Sequence, residues 1–175
     1  LYKAAEKNIV INLKKNGGGD KPDNKIQILA ELTKLREICC DPALLYENYR
    51  SDSAKMTTCM EVIENALEGG HRILLFSQFT TMLDRIAAEL ERREITYFML
   101  TGATSKPKRR ELVERFQRGE AEIFLISLKA GGTGLNLTAA DMVIHYDPWW
   151  NVAAQNQATD RTHRIGQENR VTVFK

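Results

Sequence analysis

From Ser53 onward the chain alternates short apolar runs with segments of helical periodicity, and that alternation leaves few folds open. Arg72-Ile-Leu-Leu-Phe-Ser77, Thr96-Tyr-Phe-Met-Leu100, Glu122-Ile-Phe-Leu-Ile-Ser127 and Met142-Val-Ile-His-Tyr146 have the length and composition of buried strands. A further strand starts near Val171. Between the strands, Met56, Met60, Ile63 and Leu67 mark one helix, closed by Gly69-Gly70. Met82, Leu83, Ile86 and Leu90 mark a second. Leu112, Val113 and Phe116 mark a third, with Ser105 as N-cap and Pro107 just inside. Asn151 can cap another helix, reaching about His163. Strands that alternate with helices require crossover connections, hence an α/β fold with a mainly parallel sheet flanked by helices.

The first fifty residues differ in character. Leu1 to Lys15 can form a helix, and the glycine-rich run from Asn16 to Asn24 breaks it. Ile26, Leu29, Leu32, Leu35 and Ile38 then recur every three residues, one face of a helix that Asp41-Pro42 ends. Residues 1–50 are expected to be a helical arm, and residues 51–175 the α/β domain. Because the chain starts at Leu1 and stops within a strand-like segment, it is expected to be a piece of a longer protein.

Composition narrows the function classes only a little. A formal net charge of +2 is too small to indicate nucleic acid by itself. No apolar run approaches the roughly 20 residues of a membrane-spanning helix, so no membrane partner is expected. Cys39, Cys40 and Cys59 include no Cys-x-x-Cys, and the three histidines lack metal-ligand spacing. The expectation is buried free thiols in a reducing cell interior, and no metal site.

In parallel α/β sheets the working residues lie beyond the carboxyl ends of the strands. The loops in question are Ser77 to Phe79, Thr101 to Ser105, Ser127 to Asn136 and Asp147 to Asn151. The third is rich in glycine, and such a turn can present backbone N–H groups to a phosphate. It is neither a Walker A loop, since Gly134 precedes Leu135-Asn136, nor a dinucleotide fingerprint, since Leu137 stands where a third glycine belongs. Downstream, Arg161 and Arg164 are three residues apart and would share one side of a helix. Their guanidinium forks suit phosphate oxygens. The alternative is a helix-end salt bridge to Asp160, and the glycine loop upstream favours the phosphate. The cluster Lys106, Lys108, Arg109 and Arg110 is read as a helix surface rather than a phosphate track.

Four segments in order carry a resemblance: Leu74-Leu-Phe-Ser-Gln-Phe79, Lys129-Ala-Gly-Gly-Thr-Gly-Leu-Asn-Leu-Thr138, Asp147-Pro-Trp-Trp-Asn151 and Asp160-Arg-Thr-His-Arg-Ile-Gly-Gln167. They resemble the motifs of the C-terminal RecA-like motor lobe of the Swi/Snf family, within superfamily two of helicase-like ATPases. The match runs from about Leu35 to the end, and Arg36-Glu-Ile-Cys-Cys-Asp-Pro42 is similar to the family's lead-in helix.

The resemblance implies a two-lobe, ATP-driven translocase on double-stranded DNA, with residues 1–50 as the inter-lobe connector and 51–175 as the second lobe. ATP and Mg would be held mainly by the first lobe of the same chain, because this sequence has no Gly-Lys-Ser/Thr. This lobe would supply Arg161 and Arg164 as arginine fingers, with Gly132, Gly134, Asn136 and Gln157 on the nucleotide side. For DNA the resemblance implies Ser77, Gln78, Thr101, Gly102, Ser127, Lys129 and Trp149. Trp149 and Trp150 point oppositely on an extended segment, and which ring is exposed stays open. The lobe alone is expected to be inactive. An intracellular location is implied, in a bacterial cytoplasm or nucleoid or a eukaryotic nucleus. An RNA-helicase-like lobe is disfavoured by the His163-Arg-Ile-Gly-Gln167 ending and the paired tryptophans, and a non-catalytic scaffold by the presence of both arginines.

Overall fold

A computed structural model describes residues 2–15, 22–46, 48–49, 53–131, 136–147, 153 and 171–175. The chain divides into two compact units, Leu1–Met56 and Thr57–Lys175.

In the first unit, α1 (Tyr2–Lys15) packs on α2 (Pro22–Cys40). Ile9 of α1 and Leu35, Ile38 and Cys40 of α2 are buried. Asp41 then caps a 3-10 turn, Pro42–Leu44, its carboxylate accepting from the Ala43 amide at 2.9 Å. Proline at the first position of that turn lacks the amide that the α2 ladder would have required. The expected apolar face of α2 is only half covered. Leu35 and Ile38 are buried, while Ile26, Leu29 and Leu32 stay exposed. One neighbouring helix of 14 residues cannot hide the whole stripe of a 19-residue helix.

The second unit is a five-stranded sheet in the order β2-β3-β1-β4-β5, parallel at every pairing. The strands are β1 (Ile73–Ser77), β2 (Tyr97–Leu100), β3 (Ile123–Ser127), β4 (Met142–His145) and β5 (Thr172–Phe174). The helices are α3 (Ala54–Glu68), α4 (Thr80–Arg92), α5 (Lys106–Gln117) and a single turn, α6 (Leu128–Gly131). Every residue of β1, β3 and β4 is buried, as expected for strands covered on both faces. Leu74, Phe76, Phe124, Ile126 and Val143 point to one face and join Leu112 and Phe116 of α5 in a single core. Alternation turns Ile73, Leu75, Ile123 and Leu125 the other way, towards the side on which α4 packs against β1 and β3.

Sequence and structure agree on element type, and differ in detail. The buried face of α3 is Cys59, Met60, Ile63 and Ala66, leaving Met56 and Leu67 half-buried. The helix ends at Glu68 because Gly70 takes a left-handed φ of +75°, which lets the His71 amide reach back to the Ala66 carbonyl at 3.0 Å. Ser105 caps α5 as expected, accepting from the Lys108 amide at 3.4 Å. Residue 128 begins a helical turn that the glycine content concealed. Cys40 and Cys59 are buried, whereas Cys39 is exposed. The expected helix from Asn151 to about His163 lies outside the described residues, apart from Ala153. Among the described residues no helix is long and apolar enough to cross a membrane.

Candidate nucleic-acid interface

The carboxyl ends of β1, β2, β3 and β4 all open onto one face, since the strands are parallel. The residue that organises this face is Asp147, just past β4 and only 2 % exposed. Its carboxylate accepts from the Ser77 hydroxyl at 2.5 Å and from the Gln78 amide at 3.1 Å. The Ser77 oxygen in turn accepts from the Phe79 amide at 3.1 Å. The Tyr146 amide donates to the Phe76 carbonyl at 2.9 Å, carrying the β1–β4 ladder one residue past β4. The buried carboxylate satisfies the Gln78 amide and the Ser77 oxygen the Phe79 amide, and Phe79 can start α4 without a side-chain cap of its own.

The neighbouring loops are held in similar fashion. After β2, the Thr101 amide donates to the Thr104 hydroxyl at 3.0 Å, and the Thr104 amide to the Thr101 carbonyl at 3.1 Å. After β3, the Ser127 hydroxyl accepts from the Ala130 amide at 3.3 Å, which makes Ser127 the N-cap of α6.

These loops enclose a cavity of about 470 Å³. Gln78, Thr101, Gly102, Ser127 and Lys129 line it, together with Thr80, Asp84 and Ala103. Five of the residues implied for DNA therefore converge from three separate strand ends. Lys129 and Gly102 are exposed, and a Cβ on Gly102 would meet nothing within 4 Å. The fold has no steric need for glycine there; the bare Cα leaves the backbone open to the cavity. The side-chain nitrogen of Gln78 is shielded from bulk water and has no partner among the described residues. A buried amide donor left without an acceptor costs about 1–3 kcal/mol.

Of the other implied residues, Ser77 and Asn136 are described. Ser77 is fully buried with its hydroxyl engaged, so it supports the cavity from below. Asn136 is exposed, and its carbonyl accepts from the Gln117 side chain at 3.0 Å. Gly132, Gly134, Trp149, Gln157, Arg161 and Arg164 lie outside the described residues. The basic cluster on α5 behaves as a helix surface: Lys108 pairs with Glu111, Arg110 with Glu114, and Arg109 donates to the Ala130 carbonyl. At the end of β4, His145 is 3 % exposed and stacked on Phe76. Burial, with a smaller contribution from Lys175, pushes its pKa down to about 4, so it is neutral near pH 7.

Sequence reasoning did not assign the roles of Asp147 and Gln117. Asp147 carried a signal, since it opens the Asp-Pro-Trp-Trp motif, but its partners are 70 residues away. Gln117 carried none.

A parallel sheet in this order, with polar loops gathered at its carboxyl ends, defines a RecA-like lobe. A family model described as helicase conserved C-terminal domain matches residues 54–166, and the chain belongs to that family. Within it, the chain is a C-terminal motor lobe of the Swi/Snf type. It is 38 % identical to the Sulfolobus solfataricus SWI2/SNF2 ATPase C-terminal domain, with a TM-score of 0.77 over 89 % of this chain and 68 % of that one. It is 36 % identical to the S. solfataricus SWI2/SNF2 ATPase core in complex with dsDNA, with a TM-score of 0.80 over 99 % of this chain and 36 % of that one. A putative ATP-dependent helicase/translocase of Bacillus subtilis, YwqA, is 44 % identical over 86 % of this chain and 17 % of its own length. The chain spans 15–17 % of the length of the first curated relatives it matches.

Proposed function

We propose that this lobe is the second half of a split ATP site in a double-stranded DNA translocase, and that its strand-end cavity holds a DNA backbone phosphate. The observation that supports the DNA reading best is the convergence of Gln78, Thr101, Gly102, Ser127 and Lys129 on one cavity. An amide donor without a partner among the described residues, an exposed lysine and an accessible glycine backbone suit phosphate oxygens and read no base. Ser77 and Ser127 hold the loops in place, and Gln78, Thr101, Gly102 and Lys129 make the contacts. Asp84 lines the same cavity, and its negative charge keeps the hold on an anion weak, which suits a motor that must release each phosphate. The structure of the S. solfataricus core with dsDNA supports a duplex as the substrate.

On the nucleotide side, Arg161 and Arg164 act as arginine fingers, and Gln157 and the loop from Gly132 to Asn136 serve nucleotide binding. Bound ATP supplies a terminal phosphoryl group whose charge redistributes as it transfers to water. Guanidinium groups from this lobe would stabilise that charge, and fingers of this kind contribute about 10³–10⁵ in rate. The ATP relatives' names support nucleotide use. The Walker A lysine and the magnesium-binding acidic box belong to the first lobe, so this lobe alone does not turn over. Steady-state ATP hydrolysis with and without duplex DNA, by this chain and by the full-length protein, tests the split. DNA-stimulated turnover by the chain alone would refute it.

A further inference from the structure

Two opposite charges line the strand-end cavity without meeting. Lys129, in the turn after β3, and Asp84, on α4, both contribute to its wall, and both are exposed. Neither side chain has an ion-pair or hydrogen-bond partner among the described residues. Elsewhere on α4 and α5 the surface charges pair with neighbours on their own helix: Arg92 with Glu89, Lys108 with Glu111, Arg110 with Glu114. The rest of the wall, Gln78, Thr80, Thr101, Gly102, Ala103 and Ser127, carries no formal charge. Behind it the same balance holds. Asp147 is buried against the Ser77 hydroxyl and the Gln78 amide, and Arg109 donates to the Ala130 carbonyl, next to Lys129. A ligand in the cavity therefore meets one positive and one negative side chain on otherwise neutral ground.

Such a wall sorts phosphates by charge. An internal phosphate of a nucleic acid strand is a diester with a single negative charge. A terminal monoester carries about −1.5 to −2 near pH 7. Attraction to Lys129 and repulsion from Asp84 both scale with that charge. A lysine alone would favour the dianion; the carboxylate opposite it cancels that advantage. What remains are neutral donors, such as the Gln78 side-chain nitrogen, which serve a diester and a monoester alike. The split ATP site proposed above would keep dianions, nucleotide and released phosphate, close at hand as competitors.

We infer that Asp84 is a specificity-determining residue of the cavity, admitting the phosphodiester of an internal strand position and removing the advantage of terminal phosphates and free nucleotides. This rests on the reading of the cavity as a DNA phosphate site given above.

The test compares methyl phosphate with dimethyl phosphate as competitors for duplex DNA on the full-length protein. Nucleotide is left out, ionic strength is held constant, and the pH is about 8, where the monoester is a dianion. Asp84→Asn keeps the side-chain shape and removes the charge, and Asp84→Ala removes both. Losing one negative charge across a solvated cavity should improve the affinity of a monoanion about threefold, and that of a dianion by the square of this, about tenfold. The potency of methyl phosphate relative to dimethyl phosphate should therefore rise about threefold in both variants, and duplex affinity should rise about threefold. A probe bound at the nucleotide site binds there equally in all variants, so it does not alter the change in ratio. A merely structural role for Asp84 would shift both competitors together and leave the ratio alone. An unchanged ratio in a folded variant overturns the inference; if Lys129→Ala still weakens duplex binding, the DNA reading stands without it. A risen ratio with unaltered duplex affinity also overturns it, since the cavity would then sort phosphates without holding the strand. If Lys129→Ala is silent and neither competitor displaces duplex, the DNA reading falls and takes the inference with it.

Discussion

At the amino end of the parallel sheet, Asp141 accepts from the His71 ring at 2.9 Å and the Arg72 amide at 3.0 Å. Glu122 accepts from the Thr96 amide and hydroxyl, both at 3.1 Å, and returns its own amide to the Thr96 oxygen. Arg72 spends its guanidinium on two backbone carbonyls. At the carboxyl end Asp147 plays the part of Asp141. There the Gln78 side-chain nitrogen lacks a partner among the described residues, Lys129 is exposed, and a cavity separates three loops. The two ends terminate the same strands with similar residue types. Among the described residues, one closes its polar groups on the protein, and the other leaves the Gln78 side-chain nitrogen beside a cavity. Changes at the amino end should therefore alter stability, and changes at the carboxyl end should alter binding and turnover.

The largest effect is expected from Arg164→Ala in the full-length protein, with DNA-stimulated ATP hydrolysis falling about 10³-fold or more while ATP binding survives. Turnover assays beside nucleotide titrations check this. A near wild-type rate would remove the finger from the mechanism.

Asp147→Ala should damage both properties at once. It strips acceptors from the buried Ser77 hydroxyl and the Gln78 amide, so roughly 3–4 kcal/mol of stability should go. Urea unfolding measures the loss. In the fraction still folded, duplex DNA affinity should fall as well, because the β1 exit loop has lost its anchor. Destabilisation with unchanged affinity would sever the carboxyl-end network from the DNA site.

Acid should expose a cost particular to the carboxyl end. His145 has a pKa of about 4 when folded and its ordinary 6.5 when unfolded, so the unfolded chain takes up the proton first as pH falls. Stability from this group is complete above about pH 6.5 and is lost progressively towards pH 4, by on the order of 2–3 kcal/mol. His145→Gln should flatten that part of the stability–pH curve relative to wild type.

Asp141→Ala is the amino-end counterpart. Loss of its bonds to His71 and to the Arg72 amide should cost about 1–2 kcal/mol in urea unfolding. Turnover and DNA affinity per folded molecule should not change.

This asymmetry was only partly legible in the sequence. The strands announced themselves because β1, β3 and β4 are buried on both faces and so read as unbroken apolar runs. Their alternation with helices implied a parallel sheet whose carboxyl ends share a face, and Gln78, Thr101 and Lys129 were named from the resemblance to the Swi/Snf motifs. What stayed hidden depends on distance along the chain. Asp147 reaches Ser77 across 70 residues and Gln117 reaches Asn136 across 19, and no local periodicity reports such pairs. The α2 stripe misled for the opposite reason. Spacing shows which residues share a face, but Ile26 and Leu29 remain exposed because one partner helix covers only part of it.

The most direct test of the contrast between the two ends is duplex DNA binding by this chain across several salt concentrations, with two unrelated sequences. Lys129→Ala should weaken binding equally for both sequences and lower the salt slope by about one ion, as expected for one lost phosphate contact. Asp141→Ala, corrected for the folded fraction, should leave affinity and slope at wild-type values. The reverse pattern, with Lys129→Ala silent and Asp141→Ala weakening binding, would put the DNA surface at the wrong end of the sheet and contradict the account.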